Sequence, residues 1–542
     1  MNIKTCALAV VMIQATRHLD AAVLTVTSLA DIGPGSLRDQ IALSAPGDTI
    51  QFAVNGKILL NSAITINHQL MVQGPGAAAL TVDANHVNRA FIAAAIGTVY
   101  LTGMTISNGF VAGLDGPNGT NPGQNGGPGL DALGGAILDY SDSLNLSNCW
   151  FTGNSVQGGR GGFGGPNPVG AVFTTGKGGD GGAGLGGAIY ATSAVFMVNC
   201  TFSANRALAG AGGVGGTNFN AAVNEPGGTG GAGAYAQGGA INLVNGGQRQ
   251  FQNSTFSGNL VDGGDGGAGG DSFNGPGGTG GDGGQAGGGA IATGINDLFG
   301  LTIVSNNADG GSGGFAGNGT IPGVNGNSTS GTAGGVIGYA IVCLSEIENT
   351  ILAENFVNGG GIPNYDIGLY ENYGFNFLGT FDTKFCAPLK PTSRAGTITT
   401  PLHPQLGPLA QNGGGTPTHA TTLTSPVTDA GIAFPWPFDE RGAPRPYDFS
   451  SVPNFMGDGS DIGAFELGSA DLGLDVISNN VVVSWPAYYG DFILQSATNL
   501  QGSNSWSKVS NAPAVMGNRF VVTNQAIGPV QFFRLLNQMT MP

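Results

Sequence analysis

Charge is scarce in this sequence: Asp, Glu, Lys and Arg together make up only 9% of 542 residues. Seventeen cations stand against 33 acids, a net charge of −16. Sequence-independent nucleic-acid binding needs clustered Lys and Arg to neutralise phosphates, so that class is excluded. Histidine is rarer still, with five in the chain and none between His86 and His403. The five cysteines form no CxxC pair and are too few for a disulfide framework. No internal apolar run reaches the ~18 residues of a membrane span. At 41% hydrophobic residues, charge depletion also argues against disorder, which combines low hydrophobicity with high net charge.

What is abundant is glycine, 101 residues, well above the usual ~7%. It has no strict every-third-residue period with abundant proline, so collagen is excluded. The N-terminus carries Lys4 and an apolar stretch from Cys6 to Ala15, followed by the small residues Ala21 and Ala22. A charged n-region before about ten apolar residues suits a signal peptide over residues 1–22 and an extracellular or cell-surface protein. Once that leader is removed, no segment is expected to cross a bilayer.

Internal repetition dominates the rest. GGAI stands at Gly134–Ile137, Gly186–Ile189, Gly238–Ile241 and Gly288–Ile291, and GGVI follows at Gly334–Ile337. After each comes an apolar residue with Asn three positions on: Phe151/Asn154, Phe202/Asn205, Phe256/Asn259, Ile303/Asn306 and Leu352/Asn355. Residues two apart share a strand face, so Cys149 with Phe151 and Cys200 with Phe202 point inward together. Such a unit is too small to bury its own apolar face, but stacked copies form a continuous core. Asn154, Asn205, Asn259, Asn306 and Asn355 should then form a ladder at a turn, where Asn tolerates left-handed backbone. The expected fold is all-β, a right-handed parallel β-helix. Paired GGAI and FxxN motifs resemble the repeats of polymorphic outer-membrane proteins over about Gly134 to Asn355. That resemblance implies surface display and adhesion without enzymatic activity.

Between coils lie Gly-rich stretches at 158–185, 210–237, 263–287 and 310–332, with a Gly-Gly-x rhythm. Because they recur at one point of the repeat, they should emerge from one edge and pack as threefold, polyproline-II-like segments. Flexible loops are the alternative, favoured by glycine's entropy. One insert carries Asp262, Asp265, Asp271 and Asp282, and Gly266–Phe273 fits a calcium-binding nonapeptide once. Ca²⁺ prefers such oxygen ligands, but the site is normally built from tandem copies. Solvated loop aspartates are therefore the default, and no motif requires another cofactor.

At the start, Val23–Val26 has the pattern of a strand, and Ser36 caps a short helix in which Leu37 and Ile41 share a face. Further on, Tyr373–Gly379, Leu406–Leu409, Asn412–His419, Thr428–Gly431, Asp439–Gly442 and Asp461–Glu466 occur in order. This series is similar to the choice-of-anchor Q domain of bacterial surface proteins, which implies a terminal module over 365–467. The sequence shows none of the sorting signals that usually follow it. Alternating strands from Val481, Phe492 and Arg519 then resemble the small β-sandwich appended to secreted proteins of verrucomicrobial type. The organisation expected is leader 1–22, cap and first coils 23–110, repeats with inserts 111–364, the anchor-like region 365–467 and a sandwich at 474–538.

Parallel β-helices also host pectate lyases and polygalacturonases, whose chemistry needs clustered acids or a positioned base. No Asp-Asp pair, GxSxG, HExxH or P-loop occurs. The weak catalytic candidates are Asp139 and Asp142, an odd number of positions apart, with Arg206. Asp439, Glu440 and Arg441, and likewise Asp461 and Glu466, are expected in internal ion pairs, and His419 as a hydrogen-bonded structural residue. Trp485 and Trp506 suit core anchors better than sugar platforms. The expectation is a secreted adhesion or structural protein meeting surface glycans, matrix or cell envelope. A polysaccharide-active or glycan-binding β-helix is the alternative.

Overall fold

A computed structural model describes residues 21–537 apart from 171–172, 245–247, 294–296, 339–345, 359–366, 369–370, 382–387, 434, 491, 501–505, 518 and 526–529. The leader, Cys6, Cys343 and Cys386 lie outside the described residues. The described residues form a parallel β-helix of four sheets with 16, 10, 6 and 5 strands, here sheets 1 to 4. Each GGAI opens a coil, and like residues stack in register: Ile137 pairs with Ile189, then Ile241 and Ile291. The next partner is Val336, so GGVI sits one residue off the expected frame, with Ala333 taking the left-handed glycine's place. In sheet 1 the long strand Phe91–Thr102 is replaced in the next coil by two short ones, Ile137–Asp139 and Ser143–Ser147. Sheet 2 stacks Trp150–Thr152, Thr201–Ser203, Thr255–Ser257, Thr302–Val304 and Ile351–Ala353. The helix Leu37–Leu43 closes the first coils, with Ser36 accepting from the Asp39 N–H and with Leu37 and Ile41 buried.

The core is a set of columns. Phe151, Phe202 and Phe256 stack with ring centroids 4.6 and 4.9 Å apart. Cys149 and Cys200 are buried free thiols in neighbouring coils. The asparagine ladder is continuous: the Nδ2 groups of Asn154, Asn205, Asn259 and Asn306 each donate to Oδ1 of the next Asn at 2.8–2.9 Å. Each Oδ1 from Asn205 onward also accepts the backbone N–H of the ladder residue before it. One expectation needs correcting. The ladder residues do not themselves adopt left-handed backbone; the residue before each does, at Gly153, Ala204, Gly258, Ser305 and Glu354. Asparagine fills that conformation in a different column, at Asn148, Asn199, Asn253 and Asn349.

The glycine inserts are ordered. Each leaves the coil, turns and returns, so the stack builds an outgoing and a returning layer. One glycine of each triplet donates along its layer to the next insert, as Gly161 does to Ala211 O and Gly212 to Asp265 O, at 2.9 and 2.8 Å. The next glycine donates across layers, as Gly162 does to Gly127 O and Gly213 to Gly179 O, at 2.9 and 2.8 Å. Backbones approach so closely that a Cβ on Gly179 would lie 1.9 Å from Gly127 O. The third residue of each triplet faces water. This is the threefold packing expected, with a fifth insert, 113–131, ahead of the first GGAI. That segment's rhythm is broken by Leu114 and Pro117, which hid it in the sequence.

Residues 401–467 do not extend the stack. They fold back over the outer face of sheet 2, which is why Thr201, Ser203, Thr255 and Thr302 are buried. The last unit pairs two antiparallel sheets of four and three strands around the buried Trp485, while the Arg534 guanidinium lies 4.4 Å from the Trp506 ring centre.

Candidate functional site

Asp139, Asp142 and Arg206 do not converge. Asp139 is fully buried at an inward position, accepting from the Ser141 N–H and hydroxyl and from the Ser193 hydroxyl. Burial, only partly offset by these bonds, pushes its carboxyl up. Asp142 is exposed and accepts the Gly97 N–H. Arg206 is exposed on sheet 3, on another side of the coil.

The insert aspartates have a structural task. The outward N–H of a triplet has no glycine neighbour to meet, and an acid one coil earlier accepts it. Asp115 caps Arg160, Asp131 caps Ala183, Asp180 caps Ala232, Asp265 caps Ser312, Asp271 caps Asn318 and Asp282 caps Asn327, all at 2.7–2.9 Å. The nonapeptide-like Asp271 is thus an exposed, solvated aspartate, as expected, that also caps a backbone N–H of the next insert. Asp262 stands beside Asp309 in the next coil; burial and then the charges of Asp309 and Asp265 push its carboxyl up to about 6. Among the described residues no three His, Cys, Asp or Glu are grouped to hold a metal ion.

The folded-back segment holds buried acids. Asp439 pairs with Arg441 at 2.8 Å, and Glu466 lies 3.6 Å from Arg445. Glu440 departs from the ion pair expected of it. Its Oε1 meets the hydroxyls of Thr201 at 2.8 Å and Thr416 at 2.9 Å, and its Oε2 accepts from Thr255 at 2.5 Å. The Thr201 hydroxyl also donates to Pro417 O at 2.7 Å. The single Thr201 hydroxyl proton is shared between Glu440 Oε1 and Pro417 O, which weakens its support of a charged carboxylate. Burial accordingly pushes it up to about 8. Burial likewise raises Asp461 and Glu466, and lifts Asp429 to about 7. His419 bridges Gly407 O and the Ser257 hydroxyl, at 2.7 and 2.9 Å, and burial lowers its basicity.

These acids fix the sign of a pH effect. A carboxyl raised in the folded state contributes stability below its unfolded value, and that contribution is lost as pH rises through the folded value. For Glu440 the window runs from 4.5 to about 8. Denaturant melts should therefore show falling stability across that range. Glu440→Gln should flatten the slope and gain about 1–3 kcal/mol at pH 8.

Outside this segment, one groove crosses the outer face of sheet 1, with a cavity of about 280 Å³. Its two rows run from coil to coil. The first is Met71, Tyr100, Asn145, Phe196 and Gln250; the second is Thr102, Ser147, Val198 and Gln252. Register carries the rows on to Asp297 and Glu346, and to Phe299 and Glu348. Burial, then the charge of Glu346, raises the carboxyls of Asp297 and Glu348. Neighbouring carboxyls, one raised by burial and by the charge of another, are the arrangement general acid–base chemistry uses. Sequence reasoning missed this trio because its members lie up to 51 positions apart. Aligning Phe299-Gly300-Leu301 with Glu348-Asn349-Thr350 would have found it.

No protein-family model matches the chain, and no curated protein does. Among solved structures, the chain is similar to the nine polyproline type II helical bundle antifreeze protein of the springtail Granisotoma rainieri. Identity is 24%, over 41% of this chain and 94% of that one, with a TM-score of 0.12. That score does not establish a shared fold.

Proposed function

We propose that the chain is a non-enzymatic binding scaffold of the cell exterior, in line with its polymorphic-outer-membrane-protein-like repeats and its region similar to a choice-of-anchor Q domain. The observation that supports this is the rigid double layer, whose outward residues stand in straight rows. One row of the outgoing layer is Asn118, Phe163, Val214, Ala268 and Phe315, with Phe163 55% and Phe315 77% exposed. Rows repeating every coil, ~4.8 Å apart, suit many weak simultaneous contacts to glycan, matrix or envelope. Preorganisation spares the ordering entropy a flexible glycine loop would lose.

The test is retention of the chain on immobilised envelope and matrix polymers. A Phe163→Ser/Val214→Ser/Phe315→Ser variant should lose at least tenfold in apparent affinity while melting unchanged. Equal retention of both proteins would refute the reading. The groove with its acid trio favours a second reading, a polysaccharide-active protein. Release of reducing ends or unsaturated products from polysaccharides would establish it.

A further inference from the structure

The rows of the sheet 1 groove alternate in chemistry. Along the first, an aromatic ring at Tyr100 is followed by an amide at Asn145, a ring at Phe196 and an amide at Gln250, one per coil. The rings are thus two coils apart, ~9.6 Å at the usual strand spacing, comparable to two units of an extended glycan. The second row sets Thr102 and Ser147, whose hydroxyls bond each other at 2.7 Å, then Val198 and the amide of Gln252, beside them. Elsewhere in this protein stacked amides are consumed by one another, as in the Asn154 ladder. Here no described residue bonds the side-chain amides of Asn145, Gln250 or Gln252. All three are half-buried, flanking rings that are half-buried as well.

We infer that this groove binds an extended, uncharged glycan running across the coils, with pyranose faces on Tyr100 and Phe196 and hydroxyls on the amides. A sugar ring has an apolar face and a polar edge, and this alternation presents a partner to each. The lining contains no Lys or Arg, and its continuation is acidic at Asp297, Glu346 and Glu348. Uronate and sulfated chains are therefore repelled. The inference gives a ligand class to the binding scaffold proposed above and rests on that reading, but it uses sheet 1 and not the glycine layer.

The experiment is calorimetric titration of the full chain with cellohexaose, xylohexaose and hexagalacturonate. At least one neutral hexasaccharide should bind and the uronate should not. Phe196→Ala should weaken binding about tenfold, as expected for a lost ring contact, and Gln250→Ala by several-fold. The Phe163→Ser/Val214→Ser/Phe315→Ser variant should bind the hexasaccharide like the native chain, so groove and layer fail or stand separately. No heat with either neutral sugar, or tighter binding of the uronate, overturns the inference. So does unchanged affinity in both groove variants with their melting preserved.

Discussion

Replacing Gly179 by valine is expected to cost more than about 4 kcal/mol, at the extreme of single-residue effects. The added Cβ would sit 1.9 Å from Gly127 O and 2.6 Å from its carbonyl carbon. Those are backbone atoms of the neighbouring insert, so no side chain can swing away to make room. Accommodation means parting two inserts, and with them the bonds from Gly162 N–H to Gly127 O and from Gly129 N–H to Asp180 O. The control is Ala232→Ser, at an outward position of the same layer, which should fall within about 0.5 kcal/mol of native. Urea unfolding of both variants measures the contrast. Equal stabilities would mean that the inserts do not pack.

The second large effect is expected at Asn205. Its side chain donates to Phe151 O and Asn259 Oδ1, and accepts from both the backbone and the side chain of Asn154. All of these groups are buried. Asn205→Ala strands at least one buried N–H and one carbonyl, at about 1–3 kcal/mol each, for a loss of roughly 3–5 kcal/mol. Asn205→Asp keeps the shape but turns an acceptor toward Asn259 Oδ1 and Phe151 O, and should be no milder. A surface asparagine outside any column, such as Asn274, serves as the neutral control in the same melts.

The coils were legible because a repeat in sequence becomes a neighbour in space: GGAI, the phenylalanines and the asparagines stack as their spacing implied. The glycine layer was legible from its triplets, since without side chains only backbone pairing can hold it. Backbone conformation was less so. Asn148 and Asn154 sit six residues apart in one coil, and only the structure shows that the first takes the left-handed turn while the second makes the ladder. The fold-back segment left no periodic signal. Its defining contact, Thr201 to Glu440, spans 239 positions, and a buried acid held by threonines looks in sequence like any ion-pairing residue. The groove stayed hidden because its chemistry is distributed, one side chain per coil. Searching for acids close together in the chain found Asp139 and Asp142, which the turn sends apart.

Native-state hydrogen exchange, followed peptide by peptide through inserts 158–183, 210–234 and 263–285, tests the central claim most directly. If two amides of every triplet are bonded, one along its layer and one across the layers, these glycine peptides should exchange orders of magnitude more slowly than free chain, nearly as slowly as sheet 2. Exchange at the free-peptide rate across the inserts, with the sheets still protected, would show that no glycine layer exists and would remove the rigid faces on which the binding role depends.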